Sequence, residues 1–89
     1  MISELDNARV LRISEKGYYG QIPILESDEV IEICYLAICK YDNSNTVYLF
    51  LCDDNLSVEN DWDFDSVEEA IAYAQKRSQN QIVWVYPNG

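Results

Sequence analysis

Three carboxylates alternate along the run DWDFDSVEEA, residues 61 to 70, and a pair of glutamates follows at once. Asp61, Asp63 and Asp65 match the first, third and fifth positions of a calcium-binding EF-hand loop, whose oxygen ligands wrap around the ion. The rest of that loop is missing. Its sixth position requires glycine for a sharp turn and holds Ser66, and its twelfth requires a bidentate glutamate and holds Ala72. Neither calcium chemistry nor any other metal or cofactor chemistry is expected of the segment.

Charge is what sets the region apart. Residues 53–69 hold eight acids (Asp53, Asp54, Glu59, Asp61, Asp63, Asp65, Glu68 and Glu69) and no base, whereas the other 72 residues hold eight acids and six bases. Of the formal net charge of −10, −8 therefore falls in one stretch, where self-repulsion costs stability and scattered charge would serve solubility equally well. If 61–65 is extended, its carboxylates project on one side about 6.7 Å apart, with Trp62 and Phe64 on the other. The expected site is thus a partner-binding one. Asp53, Asp54, Glu59, Asp61, Asp63 and Asp65 supply charge, which governs encounter, and Trp62 supplies an aromatic anchor, which governs dissociation. The competing reading is a solvated loop whose aromatics close the core, and Phe64, just before a helix start, fits that reading best.

Catalysis finds little support. The chain has no histidine, so the commonest general base is absent and no serine or cysteine can be paired with one. Two carboxylates acting as acid and base require one of them in an apolar pocket, which a crowded polar loop does not offer. Cys34, Cys39 and Cys52 are odd in number and lie among apolar residues, and without histidine a zinc site lacks its usual companions. Buried thiols in a reducing compartment are expected, and no enzyme.

The same charge bears on partners. A chain at −10 repels nucleic acid and anionic membrane surfaces, and attracts a basic protein. MISELDNARV carries charge from position 4, and no stretch approaches the ~18 apolar residues of a membrane span, so a cytoplasmic location is expected.

The elements that must position these groups are read from turns and periodicity. ARVLRIS (8–14) and YYGQIPIL (18–25) read as strands, with Pro23 marking a sheet edge or bulge. In KGYYGQ, Tyr18 and Tyr19 point to opposite sides, which makes one of them a candidate for an exposed interface tyrosine, although cover of the sheet edge is the favoured reading. VIEICYLAICKY (30–41) and TVYLFLC (46–52) flank the turn formers DNSN and read as a central hairpin, apolar on both faces. One face belongs under a helix, and the other under Tyr and Ile side chains or a partner. Ser66 with Glu69 forms a capping box, and Val67, Ala70, Ile71 and Ala74 make the buried stripe of a helix over 67–78. IVWVY (82–86) re-enters the sheet. The chain is expected to form one α+β domain: an antiparallel meander of four to five strands, order β-β-β-β-α-β, with one helix across a face.

The half running from TVYLFLC through an acidic turn and DFDSVEEAIAYAQ to QIVWVY resembles the layout of small acidic bacterial proteins, immunity proteins among them. That resemblance implies a cytosolic inhibitor that neutralises a basic partner such as a nuclease toxin by covering its active site or a nearby surface. It assigns no site residues. The alternative is a structural or assembly module that forms a homodimer through an open sheet edge, for which the apolar runs at 30–41 and 46–52 are the motive.

Overall fold

The computed structural model describes residues 2–87. Along the chain it runs β1 (Glu4–Leu5), β2 (Ala8–Ser14), β3 (Gln21–Pro23), β4 (Val30–Glu32), β5 (Tyr35–Lys40), β6 (Val47–Cys52), β7 (Val58–Phe64), α1 (Val67–Arg77) and β8 (Trp84–Val85). The fold is α+β, an antiparallel sheet with one helix. The sheet order is β1-β2-β5-β6-β7, and β8 joins the far end of β2, on the side that β1 also occupies.

Period-two alternation gives the central strands two buried faces. β5 and β6 pair from Tyr35↔Cys52 to Lys40↔Val47, so Leu36, Ile38, Val47, Leu49 and Leu51 share one side and meet Ala70 and Ala74 of α1. On the other side lie Ala37, Cys39, Phe50 and Cys52, joined by Val10 and Ile13 of β2. Among the described residues no helix covers this second face. Tyr35, Tyr41 and Tyr48 close it, together with Leu5, Leu56 and Val58, which is one of the two coverings expected from the sequence. Bulges between Val10 and Arg12 and between Leu51 and Cys52 bend the strands and add to the local twist of the sheet.

Three expected elements differ. Residues 30–41 do not make one strand, because the backbone at Ile33 and Cys34 changes partners: the Ile33 N–H donates to the Gly20 carbonyl (2.9 Å), and the Cys34 N–H donates to that of Cys52 (2.8 Å). β4 consequently pairs with β3 in a separate two-stranded ribbon, while β5 belongs to the main sheet. Residues 18–25 never enter that sheet, and only Gln21–Pro23 are strand. Gly20 makes the departure feasible, since its φ of +109° is strained for any residue with a side chain. The meander is thus interrupted by a ribbon. The main sheet has six strands where four to five were expected, and seven strands rather than four precede the helix: β7 occupies what the sequence presents as an acidic loop, and the short β1 is a further addition.

α1 forms as its sequence directs. Ser66 accepts from the Glu69 N–H (3.1 Å), and Glu69 reaches back to accept from the Asp65 N–H (3.1 Å), one residue earlier than in a standard capping box. Ala70 and Ala74 are buried against the sheet, Ile71 is half-buried, and Lys76 and Arg77 lie in the last turn. Tyr19 is buried, its hydroxyl donating to the Glu15 carbonyl (2.7 Å), while Tyr18 is exposed.

Candidate functional site

β7 is an edge strand built from VENDWDF. It pairs with β6 on one side only, in the register Phe50↔Asp61, Leu49↔Trp62, Tyr48↔Asp63 and Val47↔Phe64. Paired residues share a face of the sheet. Asp61 and Asp63 therefore project on the tyrosine-covered side, beside Phe50 and Tyr48, and Trp62 and Phe64 project on the helix side. The separation of carboxylates from aromatics expected of an extended segment is present. It arises from strand pairing, whereas the sequence places these residues in a loop. Glu59 is the extra residue of the bulge, since Leu51 faces Asn60 and Cys52 faces Val58.

The seven sequence-predicted residues divide by what they do locally. Asp53 serves the turn between β6 and β7: its Oδ1 accepts from the N–H groups of Asn55 and Ser57, both at 2.9 Å, and its carbonyl accepts from Leu56 (3.1 Å). Such a bond pattern is the Asx turn that makes aspartate a loop former. Asp54 pairs with Lys16, both side chains well exposed, and its carboxylate raises the lysine's pKa through that hydrogen bond. Among the described residues this is the only ion pair. Glu59, Asp61, Asp63 and Asp65 are exposed carboxylates with no cation at salt-bridge distance there. Outside the predicted set, Glu69 caps α1 and Glu68 stands in its first turn, where negative charge favours the helix dipole.

Trp62 is 44% exposed. Its ring lies 5.7 Å from that of Tyr73 on α1, and Phe64 lies 5.3 Å from the same ring, so three aromatics seal the seam between strand and helix. Trp62 and the carboxylates thus sit on opposite sides of one strand, and a flat partner lying on either sheet face reaches only one of the two groups.

The tyrosines on the carboxylate side escaped the sequence reading as site residues. Tyr41 stacks edge-on against Tyr48 (5.5 Å between ring centroids) and donates its hydroxyl to the Asp6 carbonyl (3.2 Å). Its pKa is pushed above 10.0, by burial first and then by Asp6, Tyr48 and Asp61. Asp61 therefore lies within electrostatic reach of Tyr41. Half-buried Tyr48 thus lies across the ladder from exposed Asp63, on the side of the sheet that Asp61 also faces. Only the pairing of β6 with β7 brings them together, and single-strand periodicity carries no such signal.

The cysteines are all buried and free. Burial pushes the Cys39 and Cys52 thiols up to about 12, which suppresses the nucleophilic thiolate. Among the described residues no three His, Cys, Asp or Glu side chains converge as a metal site requires, and no helix is long and apolar enough to cross a membrane. No protein-family model, curated protein or solved structure matches the chain.

Proposed function

We propose that the protein is a non-catalytic, acidic binding module that recognises a basic protein partner through β7 and its flanking turns, in the manner of an inhibitor or immunity protein. One observation carries this reading. The stretch with −8 of the net charge contains an exposed edge strand whose carboxylates, Glu59, Asp61 and Asp63, lack a cation partner among the described residues, as does Asp65 beside it. Carboxylates that served the fold alone would be expected in turns, caps or ion pairs, where Asp53, Glu69 and Asp54 are. Three free, buried thiols suit a reducing compartment.

Recognition of this kind works mainly through the encounter rate, because opposite fields steer diffusion and salt screens them. The test captures proteins from the native host at low salt, elutes them at high salt, and measures association of the purified partner with wild type and with Asp61→Asn/Asp63→Asn. Slower association and a flatter salt dependence for the double variant are expected. Association as fast as wild type at low salt would sink the proposal and leave the charge as a solvated edge.

A further inference from the structure

We propose that β7 binds its partner by strand addition, the occupant being an extended segment in which Lys or Arg alternates with apolar residues, laid antiparallel along the open edge. The inference rests on reading β7 as the recognition element and specifies how it recognises. Its starting point is backbone rather than charge. Among the described residues the sheet order ends at β7, so only one side of this seven-residue strand is paired. The Asp61 N–H is donated to the side-chain oxygen of its neighbour Asn60 (2.9 Å) and not to β6. In an antiparallel ladder the inward and outward bonding positions alternate, so Asp63 shares the outward state of Asp61. Each then offers both an N–H and a carbonyl to an added strand, once the Asn60 amide swings aside.

Register then dictates composition. Residues of the added strand opposite Asp61 and Asp63 place their side chains on the carboxylate face, where a cation is favoured and a carboxylate is repelled. The residue between them lies opposite Trp62 and projects onto the aromatic seam with Tyr73 and Phe64. Trp62 and the aspartates face opposite ways, so strand addition engages both groups at once. At the C-terminal end of β7 a cleft of about 470 Å³ lies against α1, lined by the carboxylates of Asp63, Asp65 and Glu69 and by Phe64 and Tyr73, with Lys76 as its single cation. A second copy of this chain is a poor occupant of the edge, since pairing β7 with itself sets aspartate against aspartate.

The probe is a capped heptapeptide of alternating arginine and valine, titrated at low salt by calorimetry and by NMR of the labelled protein. Two N-methylated versions keep every charge. Methylation of the arginine amides removes the donors that face β7, and methylation of the valine amides alters only the outer edge. Strand addition predicts that the first weakens binding by at least about tenfold, from loss of two or more backbone hydrogen bonds, while the second changes it by less than about twofold. Amide exchange at Asp61 and Asp63 should slow in the complex with the unmethylated peptide. Equal binding by both methylated forms overturns strand addition and leaves acidic recognition standing. Failure of all three peptides to bind also overturns it, and the wider reading is then decided by the partner association experiment. A dimer in sedimentation equilibrium that the peptide dissolves would assign the edge to a second copy, against the proposal.

Discussion

Replacing Trp62 by alanine separates packing from recognition at the edge strand. With 44% of its surface exposed, a little over half of the side chain is covered, chiefly on the flank that meets Tyr73. A tryptophan offers up to about 250 Å² for burial, so the covered part is ~140 Å², worth at most about 3.5 kcal/mol at ~25 cal/mol per Å². Residual burial in the unfolded chain reduces this by roughly 10 to 40%, which gives about 2 to 3 kcal/mol for Trp62→Ala. Trp62→Phe keeps a ring against Tyr73 and should cost less than about 1.5 kcal/mol. Urea denaturation followed by far-ultraviolet circular dichroism measures both. A loss below about 0.5 kcal/mol for the alanine variant would mean that the ring does not rest on the helix, and one above about 4 kcal/mol that it belongs to the core. Either result would refute the half-packed geometry. If the geometry holds, the stable phenylalanine variant is the one to carry into binding measurements, because its effect on dissociation is free of unfolding.

Three further outcomes are expected. Ala74→Asp places an unpaired charge between α1 and the sheet, where Ala74 is fully buried, and should abolish cooperative unfolding in a denaturant titration. Asp53→Ala should lower stability by about 1 to 3 kcal/mol through loss of two turn hydrogen bonds, whereas Asp53→Asn, which retains the accepting oxygen, should stay close to wild type in the same assay. The Cys39 and Cys52 thiols, held near 12 against an ordinary 9.0, stay protonated in the folded protein while those of the unfolded chain ionise. The unfolded state then binds fewer protons, so stability should fall as pH rises from about 9 towards 12, and the urea midpoint of Cys39→Ala/Cys52→Ala should fall less steeply over that range.

What was legible in the sequence tracks how local the deciding interaction is. The helix and its cap depend on residues three and four apart, and Ser66, Glu69, Ala70 and Ala74 announce them. β2 and β6 were visible for a similar reason, being β-branched or aromatic runs bounded by turn formers. The division of residues 30–41 between ribbon and sheet was hidden, because it is decided by the Gly20 and Cys52 carbonyls that Ile33 and Cys34 find in space. β7 was hidden for a different reason. An edge strand with an exposed face needs little apolar character, and aspartate and asparagine read as loop formers. Trp62 and Phe64 at a spacing of two were the one local sign, and Leu49 and Val47 across the ladder give it meaning. As for the candidate site, the carboxylates and Trp62 stood out by charge density and type, but the turn duty of Asp53 and the tyrosines beside Asp61 required the fold.

The sharing of one side of β2 by β1 and β8 bears on the order in which the molecule assembles. Leu5 meets Ala8 across a tight turn, while Ser14 meets Trp84, 70 positions away. The β5–β6–β7 hairpins and α1 are all sequence-local and can form early, but β8 must wait until the intervening chain has been organised. Loop entropy grows only logarithmically with length, so the delay affects rate more than final stability. Contacts of such long range place a domain among the slower two-state folders. With two residues in its ladder, β8 should be the last element to dock and the first to detach, and the Trp84 indole reports that final step from within the chain.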